Sequence, residues 1–186
     1  MQGAPSRFLP YFVESPLAVR APAFGPIQRM HILFVCTGNS CRSVMAECLF
    51  NHLAKERGLA GWEARSCGVA AERSFPIPSG VRKAMSLRGI ARVDHVPQLV
   101  TRELLDWADA VVPVTRGHLE LLLDKYPESS SKTRLFSEMA GWATRDIDDP
   151  IGQPDSVYLA CADILEAGTR SILERHGTQK PQTERS

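Results

Sequence analysis

Apolar residues follow two rhythms along this chain, and the alternation between them predicts the fold. Met30 to Val35 is an apolar run broken only by His31, the pattern of a strand buried on both faces of a parallel sheet. From Ser43 the period turns helical: Met45, Leu49 and Leu53, with Ala46 and Phe50, share a face that Gly58 ends and on which Cys48 packs. Trp62 to Cys67 reads as a second strand. Ser79 then caps a helix with Val81, Ala84 and Met85 turned inward and Gly89 at its close, and Thr101 caps another through Trp107. Ala110 to Val114 is the third strand, and Arg116 to Tyr126 a helix that stops before Pro127. Arg134-Leu135-Phe136 reads as a short fourth strand. Val157, Ala160, Cys161, Ile164, Leu165, Gly168 and Ile172 mark a long last helix closed at Gly177. Strands separated by helices define an α/β protein: an open four-stranded parallel sheet with helices on both faces, right-handed crossovers, and ligands at the carboxyl ends of the strands.

Composition bounds this picture. A chain of 186 residues with 44% hydrophobic residues suits one domain with a full core. That domain is expected over residues 30–176, with a tail at 177–186. Upstream, Pro5, Pro10, Pro16, Pro22 and Pro26 forbid a continuous helix, so residues 1–29 read as a poorly ordered arm or a mis-assigned start. Pro10 also interrupts the apolar residues there, which argues against a secretory segment. Five cysteines, an odd number without metal-ligand spacing, point to free thiols in a reducing cytoplasm. A net charge of +1, with Lys and Arg spread along the chain, excludes a general nucleic-acid binder. No apolar stretch is long enough for a membrane span, and no His pair stands at ligand spacing, so no metal or other cofactor is expected. The chain is read as a monomer.

Candidate chemistry sits where the first strand meets the first helix, in Cys36-Thr37-Gly38-Asn39-Ser40-Cys41-Arg42-Ser43. A loop placed there turns its backbone N–H groups toward one spot, and the helix adds its positive end, which makes a cradle for a tetrahedral anion. The thiolate is the reactive form of cysteine, and a helix N-terminus with a neighbouring Arg favours it, so Cys36 reads as a nucleophile. Arg42 offers two parallel hydrogen bonds to phosphate oxygens, a geometry Lys lacks. Gly38 gives the turn its freedom, and Asn39 tolerates a left-handed backbone or bonds back to the loop. Cleaving a phosphorylated substrate also requires a proton for the leaving group. Asp148-Asp149-Pro150-Ile151-Gly152 is the best source, because Pro150 stiffens the turn.

Cys36 to Ser43, followed by Met45-Ala46-Glu47, resembles the phosphate-binding loop of the low-molecular-weight protein tyrosine phosphatases and their relatives, the bacterial protein arginine phosphatases and the thioredoxin-coupled arsenate reductases. Arg65-Ser66-Cys67-Gly68 resembles that family's second strand and turn, Ala108 to Val112 its third strand, and Asp148-Asp149-Pro150 its general-acid loop, so the resemblance runs over residues 30–176. The resemblance implies that Cys36 attacks phosphorus to form a phosphocysteine intermediate and that Arg42 holds the phosphate. It also implies that Thr37, Gly38, Asn39, Ser40, Cys41 and Ser43 build the phosphate site and that Asp149 serves first as acid and then as base. Cys41 is further implied to form a protective disulfide with Cys36. One departure is Val44, which stands where both phosphatase branches usually carry Pro.

In that family, Thr after the nucleophile accompanies phosphoarginine preference, and this chain has Thr37. Tyrosine-specific members commonly have a larger apolar residue there and an aromatic after Asp-Pro, where this chain has Ile151. Val114 to Leu119 also resembles a segment of the arginine-phosphatase branch. The expected partner is therefore a phosphorylated protein, with phosphoarginine favoured over phosphotyrosine. Two alternatives stand beside this one. An arsenate reductase would need a further pair of cysteines after the third strand, where Val114, Thr115 and His118 stand, and Cys48, Cys67 and Cys161 lie elsewhere. A non-catalytic phosphate-binding module would have no need to keep Cys36, Arg42, Ser43 and Asp149 together.

Overall fold

A computed structural model describes residues 29–177; the proline-containing arm and most of the tail expected at the two ends lie outside the described residues. Three parallel strands form the sheet: β1 (Met30–Cys36), β2 (Trp62–Gly68) and β3 (Ala110–Pro113), in the order β2-β1-β3. β1 is therefore central. This explains its unbroken apolar run, because its successive side chains serve two cores. Ile32, Phe34 and Cys36 join the larger core with α1 (Arg42–Glu56), α2 (Ser79–Ser86) and α6 (Asp155–His176). Leu33 and Val35 join Leu105 of α3 (Arg102–Trp107) and Leu122 of α4 (Arg116–Lys125) in the smaller one on the opposite face.

The strand order has a chemical consequence. The chain leaves β1 toward β2 on one side and reaches β3 on the other, so the connections part at the carboxyl end of β1 and open a crevice there. Cys36 is the last residue of β1 and stands in that crevice.

Two expectations need correction. Residues 134–136 do not form a fourth strand. After a 3-10 turn (Pro127–Lys132), Thr133 makes a single parallel bridge to Val111 and Arg134 donates one N–H to the Val111 carbonyl. The backbone N–H of Leu135 then goes to Glu138 Oε2, 3.1 Å away, and a short helix α5 (Phe136–Met139) begins. The local capping bond takes the donor that continued pairing would have used. Ser79, in turn, is the first residue of α2, and Pro78 occupies the capping position. Thr101 does cap α3, its hydroxyl accepting the Leu104 N–H at 3.3 Å.

α6 crosses the larger core closely enough that Gly168 has no room for a side chain. A Cβ there would lie 2.6 Å from Phe136 Cζ and 2.9 Å from Trp142 Cη2. Gly168→Ala is expected to lower stability by about 1–3 kcal/mol through overpacking, despite alanine's better helix propensity. Equilibrium urea unfolding checks this, and an unchanged or raised midpoint would show that α6 moves aside freely.

Candidate active site

The loop after β1 is held from outside by its carbonyls. Val69 N–H donates to Cys36 O and Ala70 N–H to Thr37 O, both at 2.9 Å, while Cys41 O accepts the Met45 N–H that starts α1. Gly68 permits this tight seat, since a Cβ there would lie 3.0 Å from the Asn39 nitrogen. Among the described residues, the amides of Thr37 to Cys41 find no protein acceptor. They are donors available to an anion at the N-terminus of α1.

Asn39 is the brace of the loop. It adopts φ 53°, the left-handed region that Asn tolerates better than most residues, and it is fully buried. Every polar valence of its amide is used. Nδ2 donates to Ser43 Oγ at 3.0 Å and to Ser66 Oγ at 2.8 Å; Oδ1 accepts from Gln98 N at 2.9 Å and from His95 Nε2 at 2.8 Å. Because Asn39 donates to Ser43, the Ser43 hydroxyl proton is free to turn to Cys36 Sγ, 2.9 Å away. A sulfur that accepts a hydrogen bond is better stabilised as the thiolate. Behind Asn39, the Ser66 hydroxyl donates to Glu47 Oε2 at 2.5 Å, and burial pushes the Glu47 carboxyl up to about 7.

Arg42 is buried in the first turn of α1, and its fork is partly committed: Nη1 donates to Ile147 O at 3.2 Å and Nη2 to Asp149 Oδ2 at 2.5 Å. Its Nε is buried with no partner. A buried guanidinium N–H left without an acceptor is costly, and beside the free loop amides it marks where an anion's oxygen belongs. Asp149 is the one residue of the expected catalytic set, Cys36, Arg42 and Asp149, that comes from far along the chain. It stands at the cavity wall, two-fifths exposed, on the guanidinium that would hold the phosphate.

The cavity itself measures about 340 Å³ and is lined by Cys36, Thr37, Gly38, Ser40, Cys41, Arg42 and Asp149, together with Phe75, Pro76, Pro78 and Ile151. Of the residues expected in the site, only Asn39 and Ser43 are missing from this lining. They lie fully buried behind the loop, bonded as just described. Cys41 is also largely buried, and burial pushes its thiol up to about 11. All five cysteines are free.

Sequence reasoning missed three participants, His95, Gln98 and Phe75. His95 is turned inward onto Asn39, and Gln98 joins it there. His118, inside the Val114 to Leu119 segment already singled out, is buried and bonds Thr37. Phe75 lines the same cavity as Ile151, so an aromatic ring absent after Asp149-Pro150 is supplied from another segment. No local signal distinguishes His95, Gln98 and Phe75, because each reaches the site from a loop far away in sequence.

A parallel α/β fold with a thiol, a guanidinium and free amides converging at the carboxyl end of its central strand defines a cysteine-based phosphatase. The family model for low molecular weight phosphotyrosine protein phosphatases matches residues 31–182, and the chain belongs to that family. A protein-arginine-phosphatase of Geobacillus stearothermophilus is 34% identical over 80% of this chain and 97% of its own length. More distant is an arsenate reductase 1 of Bacillus cereus, 31% identical over 77% of this chain and 93% of its own. A low molecular weight protein tyrosine phosphatase of T. tengcongensis superposes with a TM-score of 0.74 at 37% identity, covering 78% of this chain and 99% of that one. A YwlE arginine phosphatase, solved as a cysteine-to-serine mutant with a phosphorylated active site serine, superposes with a TM-score of 0.75 at 32% identity, over 78% of this chain and 95% of its own. The chain is thus a hydrolase of the protein phosphatase class.

Proposed function

We propose that this phosphatase hydrolyses phosphoarginine in proteins through a phosphocysteine intermediate, with Cys36 as nucleophile, Arg42 as phosphate clamp and Asp149 as acid and base. The Cys36 thiolate attacks phosphorus in line while Arg42 and the loop amides hold the equatorial oxygens. The bond from phosphorus to nitrogen breaks, its electron pair passes to the guanidine, and Asp149 supplies the proton. Water then attacks the phosphocysteine, Asp149 takes a proton from it, and the thiolate leaves toward the Ser43 hydroxyl, releasing phosphate. Thr37, Gly38, Ser40 and Cys41 belong to the phosphate site in this reading, with Asn39 holding the loop. A cytoplasmic setting suits five free thiols, and under an external oxidant that takes two electrons Cys41 is the loop thiol that would close a disulfide with Cys36.

The substrate preference is carried by the polar residues that line the cavity. Thr37, with its hydroxyl, and Asp149, with its carboxyl, line it together with Cys36 and Arg42. A phosphorylated guanidine presents N–H donors beside its phosphorus and needs such acceptors, whereas a phenyl ester presents none. The named arginine phosphatase among the relatives supports the same choice. Phe75 does not oppose it, since a guanidinium plane stacks on an aromatic face as a phenyl ring does. Turnover of a phosphoarginine peptide is expected to exceed that of a matched phosphotyrosine peptide by about tenfold in kcat/KM, the discrimination one good polar contact supplies. Equal or reversed rates would assign the chain to phosphotyrosine instead. Arsenate reduction is disfavoured because Cys48, Cys67 and Cys161 pack in the hydrophobic cores, and burial pushes the thiols of Cys48 and Cys161 up to about 12.

A further inference from the structure

We propose that His118 is a positioning residue that makes Thr37 a hydrogen-bond acceptor toward the substrate's guanidine, by taking the Thr37 hydroxyl proton on Nε2 and keeping its own proton on Nδ1. The proposal rests on the phosphoarginine reading and deepens it.

His118 lies in the first turn of α4 and is buried between two threonines from different elements. Its Nε2 is 2.8 Å from Thr37 Oγ1, at the start of the phosphate loop, and its Nδ1 is 2.8 Å from Thr115 Oγ1, which caps α4. Thr115 Oγ1 also accepts the backbone N–H of His118 at 3.2 Å. Both nitrogens of one residue thus converge on one hydroxyl oxygen, which has two lone pairs to receive them. That arrangement lets Thr115 Oγ1 receive both donors, and with the ring proton on Nδ1, as proposed, Nε2 keeps a lone pair aimed at Thr37; in the other tautomer the Thr115 hydroxyl would donate to Nδ1.

The ring is neutral at working pH. Burial, with the Arg42 guanidinium nearby, pushes His118 down to about 4, against the weaker opposing effect of Asp149 and Asp146. A neutral imidazole donates through one nitrogen and accepts through the other, so the two threonines stand in opposite roles. Thr37 also lines the cavity. Once its proton is turned back to His118, only lone pairs face the substrate. Those lone pairs attract the N–H groups of a phosphorylated guanidine and offer nothing specific to a phenyl ester. The opposite tautomer would point the Thr37 proton into the cavity, where it would repel those same N–H groups.

The test uses the full chain and three variants, His118→Phe, His118→Gln and Thr37→Val, each assayed on phosphoarginine and phosphotyrosine peptides. His118→Phe keeps the volume of the ring and removes its acceptor. The ratio of kcat/KM for phosphoarginine over phosphotyrosine is expected to fall about tenfold, with Thr37→Val doing the same and the double variant losing no more. His118→Gln, whose amide oxygen reaches the place of Nε2, is expected to restore part of the ratio. Equal loss on both peptides, or additive losses in the double variant, overturns the proposal in favour of a merely structural histidine. The nitrogen NMR shifts of the His118 ring supply a second readout that needs no turnover: protonation at Nδ1 supports the proposal and protonation at Nε2 overturns it. A wild-type chain without phosphoarginine preference refutes the substrate reading by itself, and the ring spectrum then still decides where the proton lies.

Discussion

Cys36→Ser is expected to lower turnover of p-nitrophenyl phosphate by at least about 10⁴-fold, the scale on which removal of a nucleophile acts. A serine hydroxyl is not ionised at neutral pH, and the group in contact with the sulfur, Ser43 Oγ, is itself a hydroxyl whose lone pair is used by Asn39 Nδ2. Among the described residues, the group bonded to the sulfur is that hydroxyl and not a base. Phosphate affinity should survive, because Arg42 Nε and the loop amides are untouched. Steady-state rates together with inhibition by orthovanadate check this. A variant retaining a tenth of wild-type turnover would remove Cys36 from the mechanism.

Arg42→Lys follows with a loss of about 10²–10⁴-fold in kcat/KM. One guanidinium now contacts the Ile147 carbonyl and the Asp149 carboxylate while keeping Nε for an anion. A single ammonium cannot span those three directions. Charge is preserved in this substitution, so a large loss isolates geometry from electrostatics. Stability is expected to fall by only about 1 kcal/mol, the cost of one ungratified buried carbonyl, or about 2–4 °C in Tm. A loss under fivefold in kcat/KM would mean that positive charge alone suffices at this position.

How far the site could be read in advance depended on sequence distance. Cys36, Asn39, Arg42 and Ser43 fall on one strand end, one turn and one helix start, so local rules place them together. Asp149 entered through Pro150 and a family resemblance, and the fold brings it to Arg42 Nη2 at 2.5 Å. His95 had no such support, and His118 entered only inside a segment that resembles the arginine-phosphatase branch, without a role. They meet Asn39 and Thr37 across separations of 56 and 81 residues, which no periodicity encodes. Phe75 and Ile151 likewise line one cavity only because two loops converge there. The fourth strand failed for the opposite reason. Its apolar residues suited a strand, but the Glu138 carboxylate captured the Leu135 N–H and started a helix.

By itself, the chain's residue order determined the alternation of strands and helices and the contents of the anion cradle, since both arise from contacts among near neighbours. Only the tertiary structure decided the β2-β1-β3 order that opens a crevice over Cys36, and the distant partners that Asn39 and Thr37 meet. Hydrogen bonds act over about 3 Å. Which distant side chains come within that reach is settled by sheet register and helix packing, after local propensity has finished its part.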